Sequence, residues 1–138
     1  MSGMQVEAHS EPGPTVMIID DAELSRQTLA RLLQREGYTT MCAESGNQAL
    51  HLLREKSEPD LILLDVKMPG LDGLDLLEML HDNPQWRALP VVMLTAVADT
   101  HTVHRSLQLG AKAYLIKAAF SVGEMMTLVK EFTGYMPQ

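Results

Sequence analysis

The chain has 138 residues, 46% of them hydrophobic and 21% charged, which is typical of a single soluble globular domain. Its 18 acidic and 11 basic residues give a formal net charge of −7, which argues against direct binding to a nucleic-acid backbone. No apolar run approaches the roughly 20 residues that cross a bilayer, and the polar start lacks the features of a secretory signal. We therefore expect a cytoplasmic domain without nucleic-acid or membrane contacts.

The N-terminal segment contains glycine and proline but almost no apolar periodicity. Segment 1–14 is therefore predicted to be a flexible lead-in, followed by one domain at 15–134 and a short tail at 135–138. The single cysteine, Cys42, has no partner for an internal disulfide, and we interpret it as a small buried hydrophobic residue.

Short apolar runs recur along the chain and predict strands. They cover residues 15–20, 38–43, 60–65, 90–95 and 113–117. The first, third and fourth are almost continuously hydrophobic, as is expected of strands buried on both faces of a parallel sheet.

Segments with helical spacing separate these runs. The first contains Leu24 and ends at Gly37, since glycine is favoured just past a helix C-terminus. The second begins at a Ser45 cap and ends before Pro59, which cannot continue a helix. The third follows Asp72.

The last two predicted helices differ in their apolar content. The fourth is weak and polar, with Val103 and Leu107 as its apolar positions. The fifth has a regular apolar stripe. The stripe consists of Val122, Met125, Met126, Val129 and Phe132. Because strand and helix alternate five times, the sequence predicts a parallel sheet with right-handed crossovers and helices on both faces.

Polar residues stand where the predicted strands end. They are Asp20 and Asp21 after the first strand, Asp65 at the third, Thr95 at the fourth and Lys117 at the fifth. In open α/β sheets the ligand site lies beyond the carboxyl ends of the strands, so we expect these side chains to meet there.

Several of these residues have a simpler interpretation when taken alone. Asp21 could cap the first helix, Thr95 could be an ordinary strand residue, and Lys117 could be a solvated lysine. Asp65 is harder to explain in this way, because it directly follows the apolar residues 61–64.

Taken together, the residues favour phosphoryl chemistry. Three converging carboxylates would repel one another without a cation, and an oxygen-rich pocket suits Mg²⁺. A carboxylate beside Mg²⁺ can attack phosphorus and form an acyl phosphate. The phosphoryl oxygens then need a cation and a hydroxyl donor, and Lys117 and Thr95 are of the right types.

The sequence closely resembles the receiver domains of two-component response regulators over about 120 of its 138 residues. Four motifs in the right order carry the resemblance: IIDD at 18–21, LLDVKMPGLDG at 63–73, MLTA at 93–96 and AYLIK at 113–117. The resemblance implies a flavodoxin-like, doubly wound α/β fold with five helices and a five-stranded parallel sheet in strand order 2-1-3-4-5.

The resemblance also implies a metal site and a phosphoacceptor. It makes Asp65 the phosphoacceptor. Asp20 and Asp21 would bind Mg²⁺ together with Asp65, Asp20 either directly or through water. Lys67 would lend its backbone carbonyl to the metal.

Further roles carried over from the family concern the phosphoryl group and the switch. Thr95, Ala96 and Lys117 would bind the phosphoryl group, and Thr95 and Tyr114 would form the switch. The implied phosphodonor is a histidine kinase or a histidine phosphotransfer protein. A downstream target or output domain would bind the fourth helix, the fifth strand and the fifth helix. Such a domain catalyses only its own phosphorylation and dephosphorylation and is not otherwise an enzyme.

Two other functions remain open at this point. A receiver-shaped interaction module would work without phosphorylation, although the retained acidic residues argue against it. A phosphohydrolase of the haloacid dehalogenase type would also form an aspartyl phosphate. That family needs a second Asp two residues after its nucleophile, where this chain has Lys67.

One stretch departs from the family pattern. Receivers usually follow the lysine with Pro and Phe, whereas Lys117 is followed here by Ala118, Ala119 and Phe120. A cis bond before alanine would cost about 2.5 to 4 kcal/mol, so we expect a trans peptide bond between Lys117 and Ala118.

Overall fold

The computed structural model describes residues 13–56, 58–96 and 99–135. The predicted lead-in lies outside these ranges except for Gly13 and Pro14, and the predicted tail lies outside them except for Tyr135.

The described residues form one parallel sheet with helices on both faces. Its strands are β1 Thr15–Ile19, β2 Thr39–Ala43, β3 Leu61–Asp65, β4 Val91–Thr95 and β5 Ala113–Ile116. They lie in the order β2-β1-β3-β4-β5, so the predicted strand order is confirmed. Each strand is one residue shorter than its predicted run.

Helices connect the strands. They are α1 Glu23–Arg35, α2 Gly46–Glu55, α3 Gly73–Asp82, α4 Thr100–Gln108 and α5 Val122–Thr133. Side-chain oxygens of Ser45, Asp72, Asp99 and Ser121 cap the last four, each accepting a hydrogen bond from a backbone N–H of the first turn. None of the helices in the described ranges combines the length and apolarity that a membrane crossing requires.

Two apolar layers cover the sheet. Met17 and Ile19 of β1 face a core that α2 and α3 supply, whereas Val16 and Ile18 face a core that α1 and α5 supply. This alternation places every residue of β3 and β4 in a buried position, as continuous apolar runs predict.

Three apolar residues lie exposed, and for Cys42 this makes the predicted burial wrong. Leu24 is 77% exposed, because it lies in the first turn of α1, before the part of the helix that packs on the sheet. Leu107 is 49% exposed, because α4 turns Ser106 rather than Leu107 toward the sheet. Cys42 is exposed, because β2 is an edge strand and most of its residues are incompletely covered.

The segment after β5 forms a tight turn. The amides of Ala119 and Phe120 both donate to the carbonyl of Ile116, at 2.9 and 3.1 Å. The peptide bond between Lys117 and Ala118 is trans, which confirms the prediction for this departure from the family pattern.

Candidate functional site

The polar residues predicted to meet do so at the carboxyl edge of the sheet. Asp65 and Thr95 are the last residues of β3 and β4, while Asp20 and Lys117 directly follow β1 and β5. The Lys117 amide donates to the Thr95 carbonyl at 2.8 Å, which holds the end of β5 against β4. Asp20, Asp65 and Thr95 are buried, with at most 4% of their surface exposed.

The acidic residues form one cluster. Asp20, Asp21 and Asp65 each offer a carboxylate oxygen, and these oxygens lie within 4.8 Å of one another. Asp21 is exposed, so the cluster is open to solvent on one side. Several carboxylate oxygens at this spacing fit a hard divalent cation such as Mg²⁺, which prefers oxygen ligands and keeps some of its waters.

Asp20 is held by several donors. Its Oδ1 accepts from the Ala22 amide at 3.0 Å, and its Oδ2 accepts from Ser25 Oγ at 2.7 Å and Lys117 Nζ at 2.8 Å. Burial alone would raise the pKa of Asp20, but the hydrogen bonds from Lys117, Ala22 and Ser25 hold it below its ordinary value. Asp20 is therefore a buried carboxylate that stays ionised.

Lys117 pairs with two acidic residues. Its Nζ lies 2.8 Å from Asp20 Oδ2 and 3.6 Å from Asp65 Oδ2. Partial burial opposes its positive charge, yet the hydrogen bond to Asp20 and the charge of Asp65 raise the pKa of Lys117 above its ordinary value. The ammonium group is thus a positive charge fixed between two carboxylates.

Asp65 has the most perturbed acidity in the cluster. Burial and the negative charge of Asp20 raise the pKa of Asp65 from 3.8 to about 7, against the opposing charge of Lys117. Near neutral pH, Asp65 is therefore protonated in part of the molecules. A cation that binds the cluster competes with that proton.

Lys67 and Ala96 also lie at this edge of the sheet. Lys67 follows β3 by two residues and Ala96 directly follows β4, and both are exposed. These positions do not test whether the Lys67 carbonyl binds the metal or whether Ala96 binds the phosphoryl group, so both roles stay predictions.

The two predicted switch residues lie on one face of the sheet. Tyr114 pairs in register with Met93, and Thr95 pairs with Ile116. Because alternate residues of a strand share a face, Thr95 and Tyr114 both point to the side of the sheet that Met93 faces. Thr95 is buried there, whereas Tyr114 is 40% exposed.

Sequence reasoning missed two features that shape the site. Two residues of α1 hold Asp20. Ser25 Oγ donates to its carboxylate, and Arg26 Nη1 donates to its main-chain carbonyl at 2.8 Å. Gly73 lets α3 begin against the end of β3, because a Cβ atom there would collide with the Asp65 carbonyl. The glycine within the LDG stretch was the available signal for the second feature, and no local pattern marked the first.

Comparison with known proteins agrees with this architecture. A family model described as the response regulator receiver domain matches residues 16–130. The polar-differentiation response regulator DivK of Brucella ovis is 37% identical over 120 residues, which are 87% of this chain and 96% of that protein.

Solved structures show the same fold. The receiver domain of the Francisella response regulator 1452 superposes with a TM-score of 0.80 at 31% identity, covering 88% of this chain and 98% of that one. The chemotaxis protein CheY4 of Vibrio cholerae has a TM-score of 0.80 at 25% identity, covering 87% of this chain and 98% of that one. With its five parallel strands, its acidic edge and a family match over most of its length, the chain belongs to the response regulator receiver domain family.

Proposed function

We propose that this receiver domain is a switch in which Asp65 takes a phosphoryl group from a phosphohistidine donor in a Mg²⁺-dependent reaction. The observation that carries the proposal is the position of Asp65, buried at the end of β3 beside two further carboxylates and 3.6 Å from the ammonium of Lys117. A buried carboxylate beside a cation site and a lysine is suited to act as a nucleophile toward phosphorus.

The acidic cluster would hold the metal. Asp20, Asp21 and Asp65 supply carboxylate oxygens, and the backbone carbonyl of Lys67 is the proposed further ligand. When bound, Mg²⁺ would offset the negative charge that the carboxylates and the phosphoryl oxygens bring together.

The remaining roles in the reaction belong to residues of the chain itself. An Oδ atom of Asp65 attacks phosphorus; the O–P bond forms as the P–N bond breaks, and the bonding electron pair leaves with the imidazole nitrogen of the donor. The ammonium of Lys117 pairs with the charge on the transferred group. The Thr95 hydroxyl and the main chain at Ala96 bind the remaining phosphoryl oxygens. The domain thus acts only on itself.

The proposed donor is a histidine kinase or a histidine phosphotransfer protein, and the proposed output face consists of α4, β5 and α5. That face carries three of the large hydrophobic side chains found exposed in the described residues: Leu107, Tyr114 and Val122. An apolar surface of this kind is typical of a protein contact. When Thr95 is drawn toward the phosphoryl group, Tyr114 can turn inward on the same face of the sheet. Phosphorylation would then shift the balance between two conformations of the output face.

The first test is the mass of the intact protein after incubation with a small acyl phosphate and Mg²⁺. We expect an increment of one phosphoryl group, and no increment when EDTA removes the metal. An interaction module that works without phosphorylation would show no increment under either condition. A phosphohydrolase would consume the donor over many turnovers without a lasting adduct.

The affinity for Mg²⁺ should depend on pH. Because the pKa of Asp65 is about 7, metal binding below that pH must displace a proton. We expect the affinity to fall about tenfold from pH 8 to pH 6 and to level off at higher pH. Isothermal titration calorimetry in buffers of different ionisation enthalpy measures both the affinity and the released proton. Equal affinities at the two pH values would contradict the role of Asp65 as a ligand.

A further inference from the structure

The carboxylate of Asp20 has a crowded set of hydrogen-bond donors. Its Oδ2 accepts from both Ser25 Oγ and Lys117 Nζ, at 2.7 and 2.8 Å, while its Oδ1 accepts from the Ala22 amide at 3.0 Å. Hydrogen bonds of this length to an ionised acceptor are strong. The orientation of Asp20 is therefore set by one backbone amide and two side chains.

The two side-chain donors on Oδ2 are not equivalent. Lys117 is shared with Asp65, whose Oδ2 lies 3.6 Å from the ammonium nitrogen. A phosphoryl group on Asp65 adds negative charge there and draws the ammonium toward it. Among the contacts of the described residues, the Ser25 hydroxyl donates to Asp20 and to no second carboxylate. It is therefore the side-chain donor that stays with Asp20.

The start of α1 explains why Ser25 is in reach. The helix begins with Ala22 at its N-cap, which offers no side-chain oxygen, and Ser25 lies in the first turn that follows. Its hydroxyl points back to the buried residue after β1 rather than outward to water. In the same turn, the Arg26 guanidinium holds the Asp20 carbonyl at 2.8 Å. The first turn of α1 thus donates hydrogen bonds to both the carboxylate and the main-chain carbonyl of Asp20.

We propose that Ser25 is a positioning residue for the divalent cation site: its hydroxyl fixes the Asp20 carboxylate in the orientation that receives the metal. This inference rests on the proposed function, which makes Asp20 part of the Mg²⁺ site. Groups that orient metal ligands are often worth 10- to 100-fold in metal affinity. Because the Ala22 amide and Lys117 still hold Asp20, we expect an effect at the low end of that range.

The test compares Mg²⁺ dissociation constants, measured by calorimetry on the full chain, for the parent and three variants. Ser25→Ala removes the hydroxyl and should weaken binding about tenfold. Ser25→Thr keeps the hydroxyl and should bind close to the parent value. Thr28→Ala is the matched control, since Thr28 lies one turn further along α1, lines the same cavity of about 370 Å³ as Ser25 and is exposed.

A second measurement separates positioning from a role in chemistry. In phosphorylation by a small acyl phosphate, Ser25→Ala should raise the Mg²⁺ concentration for half-maximal rate by the same factor. The rate at saturating Mg²⁺ should stay at the parent level. Alanine is a better helix former than serine, so the variant should fold, which its melting temperature in EDTA will check.

Parent-like affinity in Ser25→Ala overturns the inference, as does an equal loss in Ser25→Thr or in Thr28→Ala, because then the hydroxyl is not the cause. If the parent itself does not bind Mg²⁺, the proposed function fails and this inference fails with it. If the parent binds and only Ser25→Ala is weakened, both stand.

Discussion

Asp65→Asn is expected to abolish the phosphoryl adduct and, at the same time, to stabilise the metal-free fold. Asparagine has nearly the same shape but cannot form an acyl phosphate, so the mass increment with a phosphodonor should disappear. The stability gain follows from the burial of Asp65 and its closeness to Asp20, which make the ionised form unfavourable in the folded state.

The pH dependence of this gain has a definite sign. The folded domain holds the Asp65 proton up to about pH 7, whereas the unfolded chain releases it near 3.8. The contribution of Asp65 to the stability of the parent therefore falls as pH rises between these values and is level above them. The advantage of Asp65→Asn should be absent below about pH 4 and complete above about pH 8, where the rise in pKa from 3.8 to about 7 corresponds to about 4 kcal/mol.

Urea unfolding in EDTA at pH 4 and pH 8 measures the effect. The control is Asp82→Asn, which makes the same charge change at an exposed position of α3 and should alter stability by less than about 0.5 kcal/mol. Phosphorylation of Asp65→Asn at the parent rate would contradict the assignment of the phosphoacceptor. A loss of stability at pH 8 would contradict the electrostatic account of the site.

The strands were predictable because burial on both faces leaves a continuous apolar run in the sequence, whereas their order was implied only by the resemblance to receiver domains. The runs that became β3 and β4 are apolar at nearly every position, and they are covered on both faces. Which face of each helix packs on the sheet was harder to predict. Leu24 and Leu107 fit an apolar stripe in sequence but lie exposed, because the orientation of a helix on the sheet depends on packing that no local pattern contains.

The meeting of the site residues was also predictable, since parallel strands bring their carboxyl ends to one edge. The hydrogen-bond partners were not. Lys117 lies nearer to Asp20 than to Asp65, and Ser25 reaches Asp20 from α1. Both contacts depend on where the start of α1 and the turn after β5 place these side chains relative to the end of β1, which no local pattern in the sequence contains.

Lys117→Met is expected to destabilise the metal-free domain strongly and to make it more dependent on Mg²⁺. Methionine keeps most of the side-chain volume but removes the charge that lies between Asp20 and Asp65. Removing one partner of a buried ion pair costs about 3 to 5 kcal/mol, because the remaining charge is left uncompensated. Since the Lys117 side chain is 25% exposed, we expect a loss of about 3 kcal/mol.

The two carboxylates left behind give the variant its metal dependence. A divalent cation meets no competing ammonium in Lys117→Met, so it should bind more tightly and raise the melting temperature more than in the parent. The pKa of Lys117 is raised, so its contribution to parent stability is complete below its ordinary value of 10.5 and is lost only as pH rises beyond that. Lys117 itself therefore adds no pH dependence in the neutral range, but losing its charge raises the pKa of Asp65 above about 7, so the stability deficit of the variant should grow as pH rises through neutrality.

Melting curves and urea titrations at pH 8, with EDTA and with saturating Mg²⁺, separate the two effects. Lys112→Met is the control, because Lys112 is exposed just before β5, and removing its charge should change stability by less than about 0.5 kcal/mol. If Lys117→Met matches the parent in EDTA, the ammonium is not what stabilises the acidic pair. If the variant is destabilised but gains no more from Mg²⁺ than the parent, the ammonium and the cation do not act on the same carboxylates, and the metal site lies elsewhere.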